Sequence, residues 1–167
     1  MKEKGIEDAV NAVKAVNTEA GRTIYTLDIY GQIDSGQIQW FENLKTTFPE
    51  YINYKGIVDY DKSVDVLKNY FALLFPTRFY TEGIPGTIID AYAAGVPIIS
   101  SKWESFEDIV DDGITGIGYD FQNKKQLVEL MERIEKEQID KMKTNCLSKG
   151  KSFLPTNVVG ILKSRLI

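Results

Sequence analysis

Two carboxylates eight residues apart, Glu82 and Asp90, stand where a charge has little structural reason to be. Glu82 lies in a polar, glycine-rich loop, Thr81-Glu82-Gly83-Ile84-Pro85-Gly86. Asp90 falls about one turn into a segment, Gly86 to Ala94, whose other residues are nearly all apolar or small. Aspartate suits a helix interior poorly because its short side chain competes for backbone groups, and a buried carboxylate is costly unless something pairs with it. The alternative is an Asp90 that faces solvent on an ordinary amphipathic helix. A helix beginning at Gly86-Thr87 also presents unpaired N–H groups, which favour an anion. A second acidic pair, Asp59-Tyr60-Asp61, has a spacing that can place two carboxylates near one cation. Asp61 stands two residues before Ser63 and the apolar positions Val64, Leu67 and Tyr70, where a helix cap belongs, so we read it as a cap. The chain has no histidine and one cysteine, Cys146. Histidine-dependent triads, histidine general bases and an internal disulfide are thereby excluded, and most zinc sites with them.

The elements that must hold these groups follow an α/β pattern. Ile6, Ala9, Val10, Val13 and Val16 share a helical face in the opening segment. Thr23 to Tyr30 reads as a strand ended by Gly31, and Ser35 to Thr47 as a helix stopped by Pro49. A short strand at Ile52 to Tyr54 leads into Gly56-Ile57-Val58. The run Phe71 to Phe75, closed by Pro76, reads as a strand buried on both faces. A helix from about Gly86, with Pro85 suited to a first helical position, is stopped by Gly95 and Pro97. Val96 to Ile99 is the next strand. Strand, loop, helix and strand make one parallel unit, whose loop lies at the carboxyl ends of the strands, where open α/β sheets bind ligands. A short helix over Glu107 to Asp112, a turn at Gly113 and a last strand at Gly116 to Tyr119 come next. One long amphipathic helix is predicted from about Leu127 toward Gly150. Trp103 either covers a ligand or anchors its loop, anchoring being the commoner use.

Composition bounds the rest. The 167 residues suffice for one domain, and 43% hydrophobic with 26% charged residues is a globular balance. A net charge of -4 argues against a nucleic-acid surface. No apolar run approaches the roughly 20 residues that a bilayer-spanning helix needs. Neither G-x-G-x-x-G nor G-x4-G-K-[ST] is present, which weighs against NAD-binding Rossmann domains and P-loop nucleotidases.

The residues Pro76-Thr77, Glu82-Gly83-Ile84-Pro85-Gly86, Asp90-Ala91-Tyr92-Ala93-Ala94-Gly95-Val96-Pro97-Ile98-Ile99 and Glu107 to Gly116 resemble, in order, the donor-binding signature of retaining GT-B glycosyltransferases of the group 1 family. The second acid is usually glutamate there; Asp90 keeps the charge and reaches one carbon less, about 1.5 Å. The resemblance implies a Rossmann-like parallel sheet flanked by helices, the carboxy-terminal half of a GT-B fold, formed by residues 1–167. It implies that Glu82 is the catalytic residue, meeting hydroxyls of the donor sugar and steadying positive charge at the reacting carbon. It assigns donor binding to Lys4, Gly31, Val58, Gly83, Ile84, Pro85, Gly86, Thr87 and Asp90. Lys4-Gly5 resembles the pair whose lysine contacts the donor diphosphate, although a solvated lysine is the plainer reading of those two residues alone.

By the same resemblance, a first strand and an amino-terminal acceptor-binding domain would precede Lys4, and the sheet is expected to lack that strand, with its neighbours left unpaired unless another segment fills the place. The expected substrate is a nucleotide-diphosphate sugar, with no cofactor and no obligatory metal. D-x-D is the metal signature of the other large glycosyltransferase fold. The full-length enzyme is expected to be a hexosyltransferase acting in the cytoplasm, at the inner face of the membrane, in polysaccharide synthesis. Val158, Val159, Ile161, Leu162 and Leu166 would form an apolar face that invites self-association. Three other readings stay open: a sugar-nucleotide epimerase, disfavoured by the lack of histidine, a nucleotide-binding module that catalyses nothing, and a degenerate structural domain.

Overall fold

The computed structural model describes residues 2–154, so the apolar positions from Val158 to Leu166 lie outside the described residues. The opening helix forms as its spacing predicts: α1 spans Ile6–Glu19 and buries Ala9, Val10, Ala12, Val13 and Val16. The strand after it, β1 (Leu27–Tyr30), is shorter than the expected Thr23 to Tyr30. The cause is Asn17, buried on α1. Its Oδ1 accepts the N–H groups of Ile24 and Tyr25 at 2.8 and 2.9 Å, and its Nδ2 donates to the Tyr25 carbonyl at 2.8 Å. Backbone bonded to a side chain cannot join a ladder.

A 3-10 turn, Ser35–Gln37, leads into α2 (Ile38–Lys45), which seats Phe41 edge-on against Tyr54 at 4.9 Å. Next come β2 (Ile52–Gly56), another 3-10 turn (Tyr60–Lys62) and α3 (Ser63–Leu67). The turn corrects the reading of Asp61. It starts directly after Asp59, which places Asp61 inside it, and neither the turn nor α3 has a side-chain cap.

The remaining elements are β3 (Leu73–Phe75), α4 (Gly86–Ala94), β4 (Ile98–Ser101), α5 (Phe106–Ile109), β5 (Gly116–Tyr119), α6 (Lys124–Arg133) and α7 (Lys136–Ser152). Gly95 stops α4 in the left-handed region at φ 71. Where one long helix was predicted there are two, broken at Ile134 and Glu135, both extended. The two segments serve different cores. Leu127 and Met131 of α6 pack with α1, whereas Cys146 of α7 packs with Ile88, Ala91 and Tyr92 of α4. Ile98 and Ile99 face these two cores from opposite sides of β4, so one straight helix could not serve both.

The strand pairings among the described residues are parallel: β1 with β2, β3 with β4, and β4 with β5. The α/β architecture with helices on both faces is therefore as expected. The strands form two separate sheets, β1-β2 and β3-β4-β5, and among the described residues no strand lies between β1 and β3. That division explains a difference in burial. β4 is buried throughout, but β3, expected to be buried on both faces, is only half-buried, because its outer edge borders a cavity shared with β1.

Candidate functional site

The site begins with a seam between α1 and the loop leaving β3. Gly5, which precedes α1, has φ 71, and a Cβ there would lie 1.8 Å from the Pro76 carbonyl oxygen. Only glycine allows that approach. The backbones are stitched by the Arg78 N–H, which donates to the Glu3 carbonyl at 2.8 Å. Side chains add a stronger tie: Arg78 donates to both oxygens of Asp8 at 2.6 Å, and Lys124 reaches Asp8 at 3.1 Å. Burial alone would raise the Asp8 carboxyl, but the hydrogen bonds and charges of Arg78 and Lys124 outweigh it and hold the group below its ordinary range.

This seam brings Lys4 and Glu82 together. Lys4 Nζ lies 2.5 Å from Glu82 Oε2, and Thr77 Oγ1 lies 3.3 Å from the same oxygen. The Glu82 side chain keeps only 13% of its surface exposed. The loop carrying it is also held from the far side, where the Glu104 N–H donates to the Tyr80 carbonyl at 2.9 Å. Beyond the loop, Pro85 takes the cap position of α4 rather than the first helical one. The first bond of that end runs from Ile88 N–H to the Pro85 carbonyl at 3.0 Å, and no side chain caps it. The N–H groups of Gly86 and Thr87 therefore face outward at an exposed helix end.

Asp90 is neither solvent-facing nor unpaired. It is half-buried, and its Oδ2 accepts the Ser63 hydroxyl at 2.6 Å across the α3–α4 contact. Lys4, Gly31, Val58, Glu82, Ile84, Pro85, Gly86, Thr87 and Asp90 all line one cavity of about 780 Å³. Gly83 does not; it lies in the loop outside the lining. The cavity continues down between β1 and β3, past Ile6 and Ala9 of α1. Its wall includes a network that no sequence motif announces: Asp28 Oδ2 accepts the Tyr70 hydroxyl at 2.7 Å, and Tyr70 meets the Tyr30 hydroxyl at 2.7 Å. Desolvation, together with the hydrogen bonds to Tyr30 and Asp28, raises the Tyr70 phenol well above its usual range, so it stays a neutral donor.

Three other residues resolve as structural. Trp103 is 2% exposed, edge-on to Phe75 and Phe106 at 5.7 and 5.6 Å, and anchors its loop. Its indole N–H is the one buried side-chain polar atom without a hydrogen-bond partner among the described residues. Burial pushes the Cys146 thiol up to about 12, which leaves it no thiolate for chemistry at neutral pH. Asp59 pairs with Lys62 at 3.6 Å on the surface. Among the described residues no three His, Cys, Asp or Glu side chains are grouped to hold a metal, and no helix is long and apolar enough to cross a membrane.

Parallel strands, helices on both faces and a site at the strand ends define the carboxy-terminal, Rossmann-like half of a GT-B fold. The C-terminal domain of a glycosyl transferase group 1 family protein from Francisella tularensis superposes with a TM-score of 0.77 over 92% of this chain and 80% of that one, at 14% identity. Anabaena HepE, solved with UDP and glucose, matches at TM-score 0.80 and 12% identity, covering 98% of this chain and 46% of that one. The chain belongs to the family of glycosyl transferases group 1, whose description matches residues 1–137. A curated relative, an uncharacterized 41.2 kDa protein in the cps region of Klebsiella pneumoniae, is 25% identical over 131 residues, or 78% of this chain. The chain spans 33% of that relative's length.

Proposed function

We propose that this chain is the donor-binding half of a retaining hexosyltransferase, which moves a sugar from a nucleotide-diphosphate sugar to an acceptor. The observation behind this reading is that Lys4, Glu82, Asp90 and the uncapped end of α4 converge on one cavity. In it, the N–H groups of Gly86 and Thr87 take the diphosphate, and Lys4 adds a cation beside them. These donors gain strength as negative charge builds on the leaving diphosphate, so they favour the transition state over the ground state. Glu82, oriented by Lys4 and Thr77, meets sugar hydroxyls and steadies positive charge at the reacting carbon. Asp90 takes a ribose hydroxyl. The helix end and Lys4 offset part of the diphosphate charge, and the reading includes no obligatory metal.

The acceptor comes from a separate acceptor-binding domain, without which this chain binds donor and transfers nothing. HepE, solved with UDP and glucose, supports a nucleotide-sugar ligand, and the relative in the Klebsiella cps region supports a role in polysaccharide synthesis; a place at the inner face of the membrane is part of the proposal.

Calorimetric titration with UDP, GDP and ADP, with and without magnesium, tests the reading. One nucleotide is expected to bind saturably and equally well in both conditions. Asp90→Ala is expected to weaken it by roughly tenfold or more, the usual effect of removing a hydrogen bond to a charged group. Absence of binding by a chain whose circular dichroism shows it folded would falsify the proposal.

A further inference from the structure

Asp90 does not stand alone in the cavity wall. It projects from α4, and the first residue of α3, Ser63, lies directly across from it, because Leu67 of α3 packs against the core that holds Ile88 and Ala91. Both Ser63 and Asp90 line the cavity. Ser63 Oγ is 2.6 Å from Asp90 Oδ2 and 3.1 Å from the Tyr60 carbonyl. A hydroxyl has one hydrogen to give, and the shorter contact, to an ionised oxygen, is the stronger. Among the described residues Asp90 accepts no other hydrogen bond, which leaves Oδ1 for a ligand.

We infer that Ser63 is a positioning and specificity residue, and that Ser63 and Asp90 together form the point that recognises a vicinal diol. One hydroxyl of the diol donates to Asp90 Oδ1, and the other donates to a lone pair of Ser63 Oγ, whose own hydrogen stays on Oδ2. Fixing Oδ2 also stops the carboxylate from rotating. An aspartate reaches about 1.5 Å less than a glutamate, and the serine oxygen supplies a second acceptor beside it that makes up the reach. Asp59-Tyr60-Asp61 thereby has a use other than metal binding or capping: its 3-10 turn delivers Ser63 to this place. The inference rests on the nucleotide-binding reading above, takes the ribose contact of Asp90 from it, and adds Ser63 as the second acceptor.

The experiment takes whichever of UDP, GDP or ADP binds the unaltered chain and compares it with its 2′,3′-dideoxy form. Ser63→Ala is expected to weaken the ribonucleotide by roughly tenfold and to leave the dideoxy nucleotide within about twofold. Ser63→Thr, which keeps the hydroxyl, restores the ribonucleotide. Equal weakening of both forms by Ser63→Ala, or no change in either, overturns the inference while the nucleotide-binding reading stands. Failure of the folded, unaltered chain to bind any of the three nucleotides overturns both.

Discussion

Gly5→Ala is expected to destabilise the chain by about 3–5 kcal/mol, a large part of the roughly 5–15 kcal/mol that holds a domain together. Two effects add. A left-handed backbone costs an alanine about 1–2 kcal/mol. In addition, the new Cβ would lie 1.8 Å from the Pro76 carbonyl oxygen, where real contacts essentially never fall below 3.0 Å, so two backbones must part by more than an ångström. Gly21 separates the two effects. Its φ is 61, yet a Cβ there meets nothing within 4 Å, so Gly21→Ala carries the conformational strain alone. Urea unfolding of both variants checks this, with the midpoint of Gly5→Ala expected well below that of Gly21→Ala. Equal midpoints would mean that the seam yields freely. The same displacement moves Lys4 away from Glu82, so nucleotide affinity should fall in Gly5→Ala and stay unchanged in Gly21→Ala.

Asp8→Ala ranks beside it. Asp8 is 5% exposed and takes two hydrogen bonds from Arg78, itself only 25% exposed, with Lys124 alongside. Removing the carboxylate takes the shared counter-charge from Arg78 and Lys124 and leaves Arg78 with only Glu7, at 3.4 Å, at a cost of about 3 kcal/mol. The acid limb of the stability curve supplies a second readout. Because the folded Asp8 carboxyl lies below its unfolded value, the stability it contributes is fully present above the unfolded value of about 3.9 and is lost as pH falls through the folded one. The gap between the unaltered chain and Asp8→Ala should therefore be constant at neutral pH and narrow steadily below about pH 4. A gap that persists undiminished in strong acid would assign the effect to packing rather than to charge.

Much of the candidate site was legible because its signals are local. Gly86 after Pro85, the apolar positions of α4 and the stop at Gly95 all lie within one short segment, so helix, loop and ligand-facing end follow from neighbours in the chain. Asp90 stood out because its charge contradicts its surroundings. What stayed hidden depends on residues far apart in sequence. Asp8 and Arg78 are 70 residues apart, and Ser63 and Asp90 are 27 apart, so no spacing announces either pair. The long helix of the carboxy-terminal third splits for a similar reason: the periodicity of Leu127, Met131 and Ile134 shows an apolar face but not which core that face serves. Thr23 to Thr26 has good strand residues, yet Asn17 claims their backbone from another element. The cap assigned to Asp61 failed on a single turn of 3-10 geometry, which shifts the start of α3.

The separation of β1 from β3 bears on how the molecule opens. Among the described residues no backbone ladder joins the two sheets; α1 and the side chains of the shared core hold them together. A two-stranded sheet is marginal by itself, so β1 and β2 should form the first unit to come loose, as a sub-global opening that leaves β3, β4 and β5 intact. Amide protons of β1 and β2 are therefore expected to exchange with solvent deuterium well before those of β4, which has a partner strand on each side. Gly31 and Val58 ride on the looser pair, whereas Glu82, Gly86 and Asp90 ride on the tighter body. The cavity is thus hinged along its floor, and a ligand that spans it would slow the exchange of β1 and β2 most of all.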